Sequence, residues 1–296
     1  MNYSLNLSSH RKEEPEKSVL YIVSTPIGNL EDISIRAINI LKKVSLIACE
    51  DTRITGRLLN NYKISNKIIS FHKYNFKEKI PYLIAKLKDG ASIALVSDAG
   101  TPLISDPGEL LVSEIKKSSL DVIAIPGACA ALSALVSSGL PASKFSFYGF
   151  LPRKGKEREF YLESISKNIF SSIVYESPKR IKKLLMDLKI YCNGDREISL
   201  AKELTKKYEQ NIFTTIDDTL KSFKNLQIKG EFTIVIRGIN KKEEVNNLEI
   251  KEDLINLMKA GLSHAAASNY LSKKTGKSKK YIYQLILNNE SKFICN

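Results

Sequence analysis

From Leu20 to Ile125 short apolar runs alternate with segments of helical period, and this alternation constrains the fold more than any other feature. Leu20–Ser24, Ser45–Cys49, Ala91–Ser97 and Val122–Ile125 read as strands; Ile33–Lys43, Glu78–Lys88 and Gly108–Lys117 read as helices. Strands separated by helices of roughly ten residues imply a largely parallel α/β sheet, since a parallel return needs a crossover. The strands are apolar along their whole length, which predicts helices on both faces of the sheet.

A helix is expected from Ala128 to Ser138, stopped by Gly139 and Pro141. Beyond it, Phe145–Phe150, Ser172–Tyr175, Glu197–Lys202, Gln210–Thr215 and Glu231–Arg237 read as strands, with helices over Lys156–Asn168, Pro178–Leu188 and Asp217–Phe223. The expected organisation is a disordered tail (1–18), an N-terminal α/β domain (19–126), a mixed C-terminal α/β domain (127–239) and a small basic helical module (248–290). The polar stretch Ile239–Asn247 reads as a linker. Lys251–Lys259, Ser263–Thr275 and Lys279–Asn288 read as the module's three helices.

No apolar run approaches the roughly 18 residues of a membrane span, and the start of the chain is polar, so a cytoplasmic protein without a membrane partner is expected. Cys49, Cys129, Cys192 and Cys295 are scattered, and His10, His72 and His264 lie far from them in sequence. That spacing predicts neither a metal site nor a disulfide framework. The formal net charge of +14 favours polyanionic partners, although a Lys-rich composition alone would give the same total. Its distribution is more informative. Between Lys259 and Lys292 there are seven lysines and one acid, Glu290.

Ligands of open α/β sheets bind beyond the carboxyl ends of the strands, and four unusual loops fall there. Ser24–Leu30 carries Pro26 and Gly28 in a tight turn but has neither GxGxxG nor a Lys-Ser/Thr pair, so it does not read as a phosphate loop. Cys49-Glu50-Asp51-Thr52-Arg53 offers two carboxylates: either Asp51 or Thr52 caps a helix with Arg53 pairing locally, or Asp51 or Glu50 faces the cleft and orients a substrate hydroxyl. In Ser97–Gly108, Asp98 ends a strand, and the small Ala99 and Gly100 leave the backbone open to a planar ligand. Asp106, followed by Pro107 and Glu109, reads as the N-cap of the next helix. Ile125–Ala131 again lines a strand top with small residues.

In this order the loops resemble the tetrapyrrole-methylase superfamily, methyltransferases that bind folded S-adenosylmethionine (SAM) in a cleft between two α/β domains. The resembling segments are Tyr21–Leu30, Cys49–Arg53, Ala94–Gly108, Pro126–Ala131, Tyr148–Pro152, Tyr175–Arg180, Ala201–Lys206 and Gly230–Ile236. They are most similar to the branch that methylates ribosomal RNA. That likeness implies a homodimeric enzyme that methylates the 2′-hydroxyl of a cytidine in the decoding region of 16S rRNA, with the rRNA or the small ribosomal subunit as partner. By motif, Asp98, Ala99, Gly100 and Thr101 would contact the methionine and sulfonium part of SAM. Ala128, Cys129, Ala130, Ala131, Ala201 and Thr233 would hold the adenosine, and Pro26 would close the site. Two positions depart from the family pattern: Lys179 stands where His is common, and Ala128 where Pro is common.

A ribose hydroxyl is a weak nucleophile, so a base or an anion-stabilising cation should help. Asp51, Lys202 and Glu203 are the candidates, with a Lys202–Glu203 pair as the plainer reading of the last two. Arg153, Lys154, Lys156 and Arg158 form one basic stretch; Lys273, Lys274, Lys277, Lys279 and Lys280 form another, inside a helix-turn-helix pattern with Gly276 in the turn and Ser278 as N-cap. Ala266, Tyr270 and Leu271 are expected to form one apolar face, and Ile282, Leu285 and Ile286 the next. Both basic stretches read as RNA-binding surfaces, against plain solvated charge or, for the helices, a packing or dimerisation module. The rival functions are a same-fold enzyme acting on a tetrapyrrole or other small molecule, and a helix-turn-helix nucleic-acid-binding regulator.

Overall fold

Alternate residues of the first strands feed two different cores, so each strand must be apolar at every position. The computed structural model describes residues 13–223, 228–239 and 241–290, without the side chains of 241–246 and 286–290. The chain divides into two compact units, residues 1–130 and 131–296.

The first unit contains β1 (Val19–Val23), α1 (Ile35–Lys43), β2 (Leu46–Cys49), α2 (Thr52–Asn61), β3 (Ile68–Ser70), α3 (Phe76–Lys88), β4 (Ile93–Val96), α4 (Glu109–Lys117) and β5 (Asp121–Ile125). Its strands run in the order β3-β2-β4-β1-β5, every pair parallel. Tyr21, Val23, Ile47, Cys49, Ala94 and Val96 pack with Ala37, Ile40 and Leu41 of α1 and Leu59 of α2. Leu20, Ile22, Ala48, Ile93 and Leu95 point the other way, onto Leu83 and Leu87 of α3 and Leu111 and Ile115 of α4. This is the period-two division of a sheet covered on both sides. Glu14 is described and forms an ion pair with Arg36 at 2.5 Å; residues 1–12 of the expected tail lie outside the described residues.

Asp106 does not cap α4. That helix starts at Glu109 with Gly108 as its N-cap, because a run of bends carries the chain past Pro107 before helical geometry begins.

The second unit follows with α5 (Ala130–Ser137, whose first residue closes the first unit), β6 (Phe145–Phe150), α6 (Lys156–Lys167), β7 (Ser171–Glu176), α7 (Ile181–Cys192), β8 (Glu197–Lys202), β9 (Gln210–Thr215), α8 (Ile216–Ser222) and β10 (Phe232–Ile236). Its sheet has the order β6-β7-β10-β8-β9. Only β6 and β7 pair in parallel; β7, β10, β8 and β9 are antiparallel neighbours. One face packs Val174, Leu200 and Ile234 against Leu162 of α6, Leu184 and Leu188 of α7 and Ile216 of α8.

Three helices end the described chain: α9 (Lys241–Lys259), α10 (His264–Thr275) and α11 (Lys279–Glu290). α9 begins inside the expected linker, since residues 241–247 contain neither Gly nor Pro and their polarity does not oppose a helix. Gly276 ends α10 in the left-handed conformation, and the Ser278 hydroxyl accepts the Tyr281 N–H at 3.1 Å as a cap for α11. The buried face of α10 is Ala267, Ser268 and Leu271. It joins Leu254, Tyr281 and Ile282, whereas Tyr270 is exposed and the side chain of Ile286 lies outside the described residues. The expected face was thus displaced by one residue within the run of three alanines, whose identical side chains carry no phase. Among the described residues no helix is long and apolar enough to cross a membrane.

Candidate functional site

In the first unit the carboxyl ends of β1, β4 and β5 are tied by hydroxyl groups. Ser24 Oγ lies 2.9 Å from Thr101 Oγ1 and 3.3 Å from the Ile125 carbonyl, its one proton serving either contact. Thr101 Oγ1 donates to the Ala128 carbonyl at 3.0 Å. Thr25 and Gly100 exchange backbone hydrogen bonds of 2.9 and 3.0 Å, which lays the first loop against the third. A Cβ on Gly127 would lie 2.7 Å from Ser24 Cβ, so this approach admits only glycine. Gly100 has a positive φ of 81°, and a Cβ there would lie 3.3 Å from Ile27 Cγ2. Side chains are therefore excluded from the backbone surface that the third and fourth loops present.

Beside these loops is a cavity of about 280 Å³ lined by Pro26, Ile27, Leu30, Ile54, Leu58, Asn61, Asp98 and Ala99, among others. It brings together three of the expected residues, Pro26, Asp98 and Ala99. Ile54, Leu58 and Asn61 come from α2, which sequence reasoning left unassigned. Their i, i+4, i+7 spacing was the signal that could have found them.

Four carboxylates gather at the ends of β2 and β4. Asp98 Oδ1 accepts the Asp51 N–H at 3.1 Å. Burial pushes the Asp98 carboxyl above the usual carboxylate range; the Asp51 N–H pulls it back, and the Asp51 charge adds to the rise. Burial, then the Asp98 charge, raises Glu50 as well. Asp106 is pushed up to about 6 by burial, with the Ser97 hydroxyl opposing and Glu50 and Asp98 adding. Asp51 differs. It caps α2 by accepting the Arg53 N–H at 2.8 Å and pairs with the Arg53 guanidinium at 2.5 Å. Those bonds hold its carboxyl well below the usual range.

In the second unit, Phe150, Tyr175, Thr233, Ala201 and Asn211 form one row across the sheet by strand register. Directly paired residues share a face, and α5 lies on this one. The Tyr175 hydroxyl accepts the Ala131 N–H at 2.9 Å at the start of α5. The Asn211 amide donates to the Ser137 carbonyl at 2.9 Å at its end. Ala131, Ala201 and Thr233, expected to hold the adenosine, are all buried in this layer.

The family described as Tetrapyrrole (Corrin/Porphyrin) Methylases matches residues 19–219. The chain belongs to the tetrapyrrole methylase family. It is 42% identical over 275 residues to the ribosomal RNA small subunit methyltransferase I of Synechocystis sp., covering 92% of this chain and 99% of that protein. It is 46% identical over 234 residues to the protein of the same name in Halalkalibacterium halodurans, covering 79% of this chain and 80% of that one. Among solved structures, a cobalt precorrin-4 methyltransferase of cobalamin biosynthesis superposes with a TM-score of 0.57 at 16% identity, over 74% of this chain and 95% of that one. The last likeness concerns the fold alone.

As a tetrapyrrole methylase the chain is a SAM-dependent methyltransferase. The residues of the first unit fit that cofactor. A side-chain-free surface at Gly100 and Gly127 suits close approach of a flat or extended ligand, and Asp98 Oδ2 has no hydrogen-bond partner among the described residues, leaving it available to a cation.

Two expectations about charged residues are corrected. Arg158 is 4% exposed. Its guanidinium donates to Asp187 Oδ2 at 2.9 and 2.8 Å and to the Pro152 carbonyl at 2.8 Å, so it holds α6 to α7 and presents no charge to RNA. Glu203 pairs with Lys206 at 3.1 Å and accepts the Glu231 N–H at 2.9 Å, not Lys202. A positive φ of 50° at Glu203 turns the chain away from the strand that carries Lys202. Arg153, Lys154 and Lys156 are exposed. In the second basic stretch Lys273, Lys279 and Lys280 are exposed, Lys274 pairs with Asp253 at 3.0 Å, and Lys277 lies 3.9 Å from Asp195.

Proposed function

We propose that this chain methylates the 2′-hydroxyl of a cytidine ribose in the decoding region of 16S rRNA, in the cytoplasm and as a homodimer. The observation that carries the reading is the nearly full-length likeness to proteins named ribosomal RNA small subunit methyltransferase I. The exposed Arg153, Lys154, Lys156, Lys273, Lys279 and Lys280 support it, since phosphate contacts need solvated cations free to exchange counterions. Exposed Val136 on α5, with exposed Phe213 on the β9 face that carries Asn211, supplies an apolar surface of the kind a second copy covers.

When bound, SAM supplies a methyl group already activated on a sulfonium. In this reading Asp98, Ala99, Gly100 and Thr101 hold its methionine part, with Pro26 against it; Ala128, Cys129, Ala130, Ala131, Ala201 and Thr233 hold the adenosine. Much of the rate then comes from alignment, which the Ser24–Thr101–Ala128 hydroxyl chain serves by fixing the loops. Of the three residues weighed for the chemistry, Asp51 is a weak base because Arg53 stabilises its charge. The Glu231 N–H and Lys206 do the same for Glu203. Lys202 is left as the residue whose charge can stabilise a developing alkoxide.

The test is incubation of the full-length protein with methyl-labelled SAM and 16S rRNA from cells lacking the modification, followed by nucleoside analysis. Label on a cytidine ribose is expected. Label on a base, or none on RNA, would overturn the reading.

A further inference from the structure

The second unit contains a cavity of about 240 Å³ that the basic stretches do not include. Its walls come from the end of α6, α7, α9 and α11, and carry Lys167, Tyr191, Lys251, Tyr281 and Gln284. A water takes up about 30 Å³ of liquid volume, so a phosphate group with several waters fits this space. The lining offers two ammonium groups, the Tyr191 phenol and the Gln284 amide as donors, while the Tyr281 phenol donates to Asn247 Oδ1 at 3.0 Å.

The two lysines differ in their compensation. Lys167 forms an ion pair with Glu163 at 2.5 Å, one turn back on α6. Lys251 has no ion pair among the described residues. Burial lowers its ammonium below the ordinary lysine value, and the charge of Lys167 lowers it further; among the described residues no carboxylate acts in the opposite sense. A half-buried cation beside a like charge is costly unless an anion joins it. Lys274, by contrast, is raised by Asp253, so carboxylates are within reach of other lysines of the same helices.

We propose that Lys251 and Lys167 form a phosphate-binding site in this cavity, which takes a backbone phosphate of the RNA substrate. The inference rests on the RNA reading above. Its consequence is geometric: a phosphate held here is bound by α6 and by the C-terminal helices together, so the module would grip RNA through a seam with the α/β layer as well as through its exposed lysines.

The probe is amine acetylation of the full-length protein, read residue by residue by mass spectrometry, with no addition, with inorganic phosphate, or with a 16S rRNA fragment. Phosphate and rRNA should each slow modification of Lys251 severalfold, while phosphate leaves Lys279 and Lys280 unchanged. Lys251→Met keeps the aliphatic stem, and should weaken rRNA binding and reduce the slope of log affinity against log salt by about 0.7 for the one lost contact; Lys251→Arg should restore both. If rRNA binds but leaves Lys251 fully reactive, the inference fails and the RNA reading stands. If phosphate protects Lys251 and rRNA does not bind at all, the anion site stands with free phosphate as its ligand, and the RNA reading fails. Reactivity of Lys251 unmoved by either probe would overturn the site.

Discussion

The Asp51 N–H donates to Asp98 Oδ1 at 3.1 Å, joining the loops that end β2 and β4. One oxygen of Asp98 is thereby fixed, and the other has no hydrogen-bond partner among the described residues. A carboxyl held above its ordinary pKa by burial gains most when a cation arrives. Asp98→Asn keeps the shape and the accepted N–H but removes the charge. A charge-assisted hydrogen bond contributes about 1.5–3 kcal/mol, so SAM affinity should fall about tenfold to a hundredfold by calorimetry. Wild-type affinity should rise with pH through the Asp98 titration, and the variant should lose that dependence. An unaltered affinity in Asp98→Asn would remove Asp98 from the cofactor site.

Asp106 gives a pH dependence of opposite sign to that of an ordinary paired carboxylate. Its folded pKa of about 6 lies above the ordinary aspartate value of about 3.9. Between these values the folded state binds more protons than the unfolded state, so stability falls as pH rises through that window. Asp106→Asn should therefore flatten the stability profile between about pH 4 and pH 6. It should raise stability at pH 7 by on the order of 1 kcal/mol, allowing for solvent screening of a half-exposed group. Denaturant titrations at pH 4.5 and 7 check the sign; a profile steeper in the variant than in wild type would contradict it.

The contact of Gly127 with Ser24 yields a prediction with its own control. A Cβ at 127 would meet Ser24 Cβ at 2.7 Å, where the end of β5 passes the end of β1. Gly127→Ala should cost about 1–3 kcal/mol, the usual range for overpacking. Ser24→Gly removes the obstructing atom, so the double variant should recover part of that loss. Additive losses in the thermal melts of the three variants would show that the two positions do not meet.

Much of this was legible in the sequence, for identifiable reasons. Strands such as Leu46–Cys49 and Ile93–Val96 are apolar throughout because both faces are covered, and nothing else in a polar chain looks like that. The loops after them stand out because acids and tiny residues follow directly on wholly apolar strands. Helix α2 was not legible. Gly56 and a run of Thr, Arg and Asn dilute its period, and its Leu58 and Asn61 were lost to the site with it. Strand β3 is three residues long and only half-buried, too short for any periodicity to register. Arg158 was misread because a cation in a basic run looks solvated, and its partner Asp187 is 29 residues away.

That buried pair supports a last prediction, which separates structural from RNA-facing cations. The Arg158 side chain is 5% exposed and that of Asp187 24%. Removing one member of a buried pair typically costs about 3–5 kcal/mol; the partial exposure of Asp187 places Arg158→Ala near the lower end. Lys154→Ala and Lys156→Ala, at exposed positions in the same stretch, should leave stability within about 0.5 kcal/mol of wild type. Binding should sort the other way. Each exposed lysine, when removed, should lower the salt slope of rRNA affinity. Arg158→Met, measured where the protein is still folded, should leave that slope unchanged. A salt slope lowered by Arg158→Met as much as by Lys156→Ala would mean that Arg158 leaves Asp187 to reach the RNA.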